Sequence, residues 1–381
     1  MNVVIATGGL FWAGHLAHAL SGDGYACTLL TGGPPTYLAG IRVRSFPLMH
    51  LAERSLSAAF PRRRGLIEYA AKVVFDRWVA RQVQALSPDL VIGWSSFVTH
   101  TLTEAARHRA ATALERGSTH IDLQHEILCE EYARWGVRDE PVDARVRARE
   151  RVEYALADWI TVPSTLARTS FIERGIAAEK LEVVPYGVDP FRFRPQRRSD
   201  ARFRVLFVGL IDLRKGVPYL LQAYERVRTA ESELILVGSL SRSMRQLLRS
   251  LGVPYVHHAT GRPDMVAALM AQASVLVVPS LEEGLARVIL EGMASGTPVI
   301  TTTTTGAADV ITDGGDGFII PPRDVETLAE RLRFLRDQPE RAVAMGTRAR
   351  RTVEATFTWS DYCRRVRAVI RRRMAHLHLA G

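Results

Sequence analysis

Two glutamates, Glu283 and Glu291, stand eight positions apart in a segment whose pattern suits a polyhydroxylated anion. The apolar run before them predicts a buried strand that ends at Pro279, a short loop that carries Glu283, and a helix that begins near Gly284. Free N–H groups at a helix N-terminus attract anions, and glycine lets a ligand approach the backbone closely. Eight residues correspond to about 12 Å along a helix axis. The two carboxylates would therefore accept hydrogen bonds from a sugar on one side of the anion and from a ribose on the other.

An alternative for Glu291 is an ion pair with Arg287, four positions earlier, on a solvated helix face. Arginine before glutamate is the weaker order for such a pair. The neighbouring positions also leave little solvated face, since most are apolar: Val288, Ile289, Leu290, Met293 and Ala294. The pattern favours ligand binding, and the ion pair stays open as the alternative.

Two parts of the chain open with the same pattern, an apolar β run followed by glycine and a helical segment. The first is Val3–Ala6 with Gly8 and Gly9, and the second is Arg204–Val208 with Gly209. Strand and helix patterns then alternate, which predicts parallel sheets buried on both faces. The further strands predicted are Ala26–Thr31, Asp89–Gly93, Ala111–Glu115, Trp159–Val162, Glu233–Val237, Tyr255–His257, Ser274–Val278, Pro298–Thr302 and Gly317–Ile320. The predicted fold is α/β, with two doubly wound Rossmann-like units whose strand ends face one cleft.

A linker is predicted near Pro185–Pro190 and through the polar stretch Phe193–Arg202, because proline, glycine and charge occur there without apolar periodicity. We therefore place an N-terminal domain at residues 1–188 and a C-terminal domain at residues 189–358. Residues 359–381 are predicted to form a helix that crosses back to the N-terminal domain.

Composition excludes several classes of protein. Apolar residues make up 47% and charged residues 24% of the 381 residues, as in ordinary globular proteins. The N-terminus has no basic segment followed by a long apolar one, and no run approaches the ~18 apolar residues of a membrane span. We therefore expect a cytoplasmic protein without a signal peptide. The three cysteines are far apart, which favours free thiols over a disulfide framework or a zinc site.

The net charge of +10 favours anionic partners. Only three of the 50 basic residues are lysine, and this arginine bias indicates codon composition more than function. Neither a zinc-finger spacing nor an aromatic-rich RNA-binding strand accompanies the charge, so nucleic acid is not an expected partner. One basic run, Pro61–Gly65, precedes an amphipathic stretch that includes Leu66, Val74, Phe75 and Trp78. This stretch is predicted to pack against its own sheet, and peripheral contact with an anionic membrane surface is the alternative.

The segment from Glu283 to Glu291 resembles the E-x7-E signature of family four, a large family of retaining GT-B glycosyltransferases that use nucleotide-sugar donors. Other segments resemble motifs of that family in the same order along the chain. Leu213–Gly216 resembles the donor-phosphate loop and Val184–Asp189 the interdomain segment, while Gly296–Ile300 and Gly306–Ile311 resemble the closing motifs. The resemblance extends over about residues 155–360.

The resemblance implies a role for each residue of this segment. Glu291 would hold the ribose hydroxyls of the donor, and Glu283 the hydroxyls of the transferred sugar. The backbone amides that would face the diphosphate are those of Gly284, Leu285 and Ala286.

The same resemblance implies that Arg214 and Lys215 neutralise the charge of the departing diphosphate. This fits the physical need for cations in a sequence without an Asp-x-Asp metal motif. We expect neither a metal nor a cofactor. Many relatives carry arginine immediately after the strand glycine, where this chain has Leu210, so the division of phosphate contacts between the cations stays open.

The first half of the chain offers two further candidates. Gly9, in the glycine loop after the first strand, would bring backbone close to the diphosphate or the acceptor, and a plain turn is the alternative. The family often places a histidine near the reaction centre in the loop where this chain has His120 and His125. His120 matches better and is the candidate catalytic residue, His125 is the second candidate, and a structural histidine is the alternative.

The resemblance thus implies a glycosyltransferase that moves a sugar from a UDP-, GDP- or other nucleotide-diphosphate sugar to an acceptor hydroxyl, with retention of configuration. The acceptor would be a sugar, a lipid-linked sugar or a small-molecule aglycone. The alternatives are a nucleotide-sugar 2-epimerase or a phosphorylase-like enzyme on the same architecture, and a non-catalytic donor-binding subunit. A nicotinamide-dependent Rossmann enzyme is disfavoured, because Gly8 and Gly9 are not followed by the full G-x-G-x-x-G spacing.

Overall fold

The structure, a computed structural model, describes residues 1–34, 38–46, 49, 63–138, 140–259 and 262–380. The N-terminal strands are β1 (Asn2–Thr7), β2 (Ala26–Thr31), β3 (Arg42–Ser45), β4 (Leu90–Trp94), β5 (Ala111–Glu115), β6 (Trp159–Val162) and β7 (Leu181–Val183). The C-terminal strands are β8 (Phe203–Val208), β9 (Ser232–Val237), β10 (Val256–His258), β11 (Val275–Val278), β12 (Val299–Thr302) and β13 (Phe318–Ile320).

Each set of strands forms one parallel sheet. The first sheet has seven strands in the order β3-β2-β1-β4-β5-β6-β7, and the second has six in the order β10-β9-β8-β11-β12-β13. Strands β4 and β11 are apolar and buried along their whole length, as expected where helices cover both faces of a parallel sheet. The predicted strands are found within one residue of their expected ends, and the predicted fold class, two Rossmann-like α/β units, is confirmed.

Helices connect the strands and cover both sheets. The N-terminal helices are α1 (Ala13–Ser21), α2 (Arg64–Leu86), α3 (Thr99–Arg107), α4 (Ile121–Arg134), α5 (Ala144–Leu156) and α6 (Thr165–Ile172). The C-terminal helices are α7 (Val217–Glu225), α8 (Arg242–Ser250), α9 (Pro263–Gln272), α10 (Arg287–Ala294), α11 (Val325–Asp337), α12 (Pro339–Thr356) and α13 (Trp359–Ala380). Within the described residues, no helix combines the length and the apolar character that crossing a membrane requires.

The chain crosses from the first sheet to the second and later returns, and the two crossings lie next to each other. The backbone N–H of Val188 donates to the carbonyl of Phe357 at 2.9 Å, so the outgoing and returning segments lie side by side. Helix α13 then packs on α1, where the ring of Trp359 stacks on His15 with the ring centroids 3.7 Å apart. The Nε of Arg367 also donates to the carbonyl of Ala19 at 2.8 Å. The last helix therefore packs on helix α1 of the N-terminal domain.

Helix α2 contains the stretch for which membrane contact is the alternative prediction. Phe75 is fully buried in the core of the N-terminal domain, whereas Leu66 and Val74 are exposed. Pro61 and Arg62, the start of the basic run, lie outside the described residues. Part of this stretch therefore packs on its own sheet, and membrane contact stays a prediction.

Candidate active site

The loop between β11 and α10 brings the two candidate glutamates to the carboxyl end of the second sheet. The expectation that the helix begins near Gly284 is wrong, because α10 begins at Arg287 and Ala286 is its N-cap residue. Contacts from outside the segment hold the loop in place before the helix. The carbonyl of Gly284 accepts from the Oγ of Ser164 at 2.5 Å, and the N–H of Glu283 donates to the carbonyl of Thr304 at 3.0 Å.

The threonine run after β12 supports the same loop. The hydroxyls of Thr302 and Thr304 both donate to the carbonyl of Ser280, at 2.5 and 2.9 Å. This anchoring fixes the backbone just before the glutamates. The threonine run is therefore part of the framework of the site.

The amides at the start of α10 are available to a ligand. In the described part of the chain, the N–H groups of Gly284, Leu285 and Ala286 have no hydrogen-bond acceptor. They precede the first turn of a helix, where the partial positive charge of the helix dipole favours anions. The loop therefore presents unpaired donors where the sequence predicts a diphosphate.

Glu283 is paired with the two candidate cations. Its Oε2 accepts from the Nη2 of Arg214 at 3.2 Å, and its Oε1 pairs with the Nζ of Lys215. Burial and the neighbouring Arg214 charge lower the pKa of Lys215, while Asp212 and Glu282 oppose that shift. The structure thus brings together the three charged groups that the sequence assigns to the sugar and the diphosphate.

Glu291 lies in the second turn of α10, where its side chain is half-buried. Burial raises its pKa, and the charges of Arg287 and Arg192 oppose that shift. Among the described residues, no side-chain hydrogen bond or direct ion pair reaches this carboxylate, and Arg287 acts on it only through its charge. A half-buried carboxylate that no protein donor occupies can accept hydrogen bonds from the hydroxyls of a ligand. Glu291 therefore has the properties of an acceptor kept for ligand hydroxyls.

Sequence reasoning missed Glu282, which is fully buried beside Glu283. Its Oε2 accepts from the Nε of Arg214 at 2.9 Å, and its Oε1 accepts from Ser118 and Thr119 of the N-terminal domain. The one available signal was a pair of consecutive glutamates in the loop that follows a buried strand.

The two domains touch at this site. A Cβ on Gly284 would lie 2.6 Å from the carbonyl oxygen of Gly117, which is shorter than real Cβ contacts allow. A Cβ on Gly306, where φ is +66°, would lie 2.0 Å from the carbonyl oxygen of Gly284 and 2.6 Å from the Oγ of Ser164 in the N-terminal domain. Glycine is therefore required at both positions for the domains to meet as they do.

His120 is occupied by local contacts. Its Nδ1 caps α4 by accepting from the N–H of Asp122 at 3.2 Å, and its ring packs against Tyr154 and Phe171. Burial lowers its pKa to about 4, and Asp122 opposes the shift. His125 lies farther along α4, beside Cys129. A catalytic role for either histidine stays a prediction, and the contacts of His120 favour a structural role.

The loop after β1 carries Gly9 and two exposed apolar side chains. The carbonyl of Gly9 accepts from the Oγ1 of Thr7 at 2.5 Å. Leu10 is 38% and Phe11 54% exposed, and Phe11 has a φ of +40°, in the region that side chains rarely adopt. Contact between Gly9 and the donor stays a prediction, and the exposed side chains leave this loop open to a ligand.

Comparisons with known proteins agree with this architecture. Residues 11–192 match the family described as Glycosyltransferase Family 4, and residues 202–338 match the family Glycosyl transferases group 1. The chain is 33% identical over 239 residues to an MMP alpha-(1->4)-mannosyltransferase of Mycolicibacterium hassiacum, a match that covers 61% of this chain and 58% of the relative. The chain thus spans little more than half the length of that curated relative.

Solved structures extend the likeness over nearly the whole fold. A sucrose-phosphate synthase from Thermosynechococcus elongatus superposes with a TM-score of 0.76 at 19% identity, covering 99% of this chain and all of that one. The Anabaena HepE protein in complex with UDP and glucose superposes with a TM-score of 0.71 at 17% identity, covering 98% of this chain. At such low identity these likenesses show the fold alone. Two successive glycosyltransferase domains, assembled as a GT-B fold, therefore make up most of this chain.

Proposed function

We propose that this protein is a retaining glycosyltransferase that moves a sugar from a nucleotide-diphosphate sugar to an acceptor hydroxyl. The observation that carries the proposal is the loop before α10 together with the start of that helix. It combines three unpaired amides, a half-buried Glu291 that no described donor contacts, and a Glu283 held by two cations. Such a set offers donors for a diphosphate and carboxylates for hydroxyls on either side of it.

The donor would rearrange the ion pairs at Glu283. A diphosphate carries more negative charge than one carboxylate, so it would compete for Arg214 and Lys215 and leave the Glu283 oxygens to the sugar hydroxyls. Glu291 would accept from the ribose hydroxyls, and the amides of Gly284, Leu285 and Ala286 would face the phosphates. Binding thus exchanges charge pairs within the protein for pairs with the donor.

The transfer step would take place on the face that the diphosphate leaves. The bond from the anomeric carbon to the β-phosphate oxygen breaks, the acceptor oxygen bonds to that carbon on the same face, and the β-phosphate takes the acceptor proton. Arg214 and Lys215 would stabilise the charge that builds up on the leaving diphosphate, which is the role that preorganised cations perform in phosphate departure. This mechanism requires neither a metal ion nor a protein nucleophile.

The first experiment is a thermal-shift screen of the full chain against nucleoside diphosphates and their sugars, including UDP, GDP, UDP-glucose and GDP-mannose. A donor that binds the folded state raises the melting temperature as its concentration exceeds its Kd. We expect one base and one sugar to stand out. If no nucleoside diphosphate shifts the melting temperature at millimolar concentration, the proposal fails.

Product analysis with the donor so identified separates the alternatives. A glycosylated acceptor whose new bond keeps the donor's anomeric configuration supports the proposal. An inverted bond contradicts the retaining mechanism, and a free epimerised sugar nucleotide identifies the epimerase. Donor binding with neither transfer nor hydrolysis, over a panel of sugar, lipid-linked and small-molecule acceptors, identifies the non-catalytic subunit.

A further inference from the structure

We infer that Glu282 is a positioning residue that ties Arg214 to the N-terminal domain, so that contact between the domains sets the orientation of the phosphate-binding guanidinium. The inference rests on the role proposed for Arg214 at the donor diphosphate. It assigns a role to a residue outside the predicted donor-binding set, at the point where the two domains meet.

The Glu282 carboxylate is shared between the domains. Its Oε1 accepts from the Oγ of Ser118 at 2.7 Å, from the N–H of Thr119 at 3.0 Å and from the Oγ1 of Thr119 at 2.6 Å. Its Oε2 accepts from the Nε of Arg214 at 2.9 Å. Three donors thus come from the N-terminal domain and one from the C-terminal domain, with the side chain fully buried.

The charge of Glu282 persists despite its burial. Burial alone would raise the pKa of this carboxyl, but the Arg214 charge, the Thr119 hydroxyl and the Arg116 charge lower its pKa to about 2. A carboxylate that accepts several hydrogen bonds and faces cations keeps its ionised form. Glu282 is therefore negative near neutral pH, and its charge attracts Arg214.

Arg214 is held by more than one of its nitrogens. Besides the Nε bond to Glu282, its Nη2 donates to the Oγ of Ser118 at 3.1 Å and to Glu283. Within the described residues, its Nη1 has no acceptor, and a quarter of the side chain remains exposed. The contacts thus fix the plane of the guanidinium and leave one edge for a phosphate oxygen.

Glu282 acts through Arg214 and not on the donor. Both of its oxygens are used by protein donors, and the side chain has no exposed surface for a ligand. If the domains separate, Ser118 and Thr119 leave the carboxylate, and Arg214 loses a partner at the same time. The complete set of hydrogen bonds that orients the guanidinium of Arg214 therefore forms only when the domains are in contact.

The test is Glu282→Gln in the full chain, since glutamine keeps the size of the side chain and removes its charge. We expect turnover at saturating donor to fall about 100-fold, because a misplaced transition-state cation costs about that factor. Affinity for the nucleoside diphosphate should change by less than about three-fold, since Arg214 keeps its charge. If the role of Glu282 were merely structural, the variant would be less stable, but its turnover would not fall more than its affinity for the nucleoside diphosphate.

Two further variants make the test independent of how Glu282→Gln folds. Ser118→Ala combined with Thr119→Val keeps Glu282 and Arg214 but removes the hydroxyl donors of the N-terminal domain, and it should lower turnover in the same selective way. Glu231→Gln, at an exposed glutamate before β9, removes the same charge far from the site and should leave turnover unchanged.

Each outcome decides the inference. Wild-type turnover in Glu282→Gln, or in the Ser118 and Thr119 variant when Glu282→Gln does not fold, overturns it. So does a loss of nucleoside diphosphate affinity as large as the loss of turnover. Failure of the wild-type chain to bind any nucleoside diphosphate overturns the proposed function, and the inference falls with it. If the wild-type chain binds and turns over the donor, only the positioning role is at stake.

Discussion

Arg323 of the C-terminal domain donates from Nε to the Oε2 of Glu131 in the N-terminal domain at 2.7 Å, and Glu131 is fully buried. The Oε1 of Glu131 also accepts from the Tyr219 hydroxyl and from the Trp135 indole, both at 2.7 Å. Helix α4 is therefore joined to the second domain by a buried carboxylate with three donors. This junction lies apart from the contact at Glu282 and holds the domains together independently of the donor site.

Arg323→Ala should destabilise the folded chain by about 2 kcal/mol. Removing one partner of a buried ion pair leaves the other charge desolvated, which costs about 3–5 kcal/mol when both partners are buried, and the partial exposure of Arg323 reduces that figure. The measurement is the thermal unfolding midpoint by calorimetry. Arg351→Ala, at an exposed arginine of α12, is the matched control and should leave the midpoint unchanged. Equal midpoints for the two variants would contradict the proposed junction.

Glu291→Ala should weaken nucleoside diphosphate binding at least ten-fold without lowering stability. The loss of hydrogen bonds to two ribose hydroxyls corresponds to about 1–3 kcal/mol. Stability should hold, because the variant removes a half-buried carboxylate that makes no hydrogen bond to a described residue. Calorimetric titration with the nucleoside diphosphate and a melting curve check both parts. A variant that binds normally but melts early would show that Glu291 supports the fold instead.

Glu283→Ala should lower turnover more than it lowers donor affinity. Its proposed hydrogen bonds are to the transferred sugar, so they act where the bond breaks, and we expect a loss of about 100-fold in kcat. Nucleoside diphosphate, which lacks the sugar, should bind as well as before, since Arg214 and Lys215 keep their charges and lose only the competing carboxylate of Glu283. Full transfer activity in the Glu283→Ala, Glu291→Ala double variant would rule out the assignment of the site.

Much of the fold could be predicted from local patterns. The buried strands of a parallel sheet are apolar runs, and these can be recognised in the sequence without knowing which strands pair. The two strands that sequence reasoning missed, β3 and β7, are short and lie at the ends of their sheet order. The sequence of β3 is Arg-Val-Arg-Ser, and it is not buried along its length. An end strand needs less apolar character than a central one, so it leaves a weaker signal.

The parts of the site that escaped prediction depend on distant contacts. The start of α10 is displaced to Arg287 because the carbonyl of Gly284 is held by Ser164, which is 120 positions earlier. Glu282 depends on Thr119, which is 163 positions away. His120 looked available in the sequence, but the first turn of α4 and two aromatic rings occupy it. Spacing along the chain identifies residue types with the right chemistry, whereas tertiary contacts decide which of them are free.

Glu115 should make stability fall as pH rises from about 4.5 to about 7. Burial raises its pKa from the usual 4.5 to about 7, and hydrogen bonds from the Trp12 indole, at 3.2 Å, and from Thr161 oppose the shift. Below pH 4.5 both the folded and the unfolded states hold the proton, so the group contributes no difference. Between about pH 4.5 and pH 7 only the folded state keeps the proton on Glu115. In that range the free energy of unfolding falls by up to about 1.4 kcal/mol per pH unit.

Glu115→Gln removes this proton, so the variant should gain stability relative to the wild type as pH rises, by roughly 3 kcal/mol between pH 5 and pH 8 as an upper bound. Glutamine can still accept from Trp12 and Thr161, which keeps the contacts similar. Other groups with raised pKa, such as Glu153, are present in both proteins and cancel in the difference. The measurement is urea unfolding at four pH values, with Glu173→Gln, an exposed position, as the control that should show a flat difference. A flat difference for Glu115→Gln as well would mean that Glu115 is ionised in the folded protein, and that the space between Trp12 and Thr161 is more polar than its burial indicates.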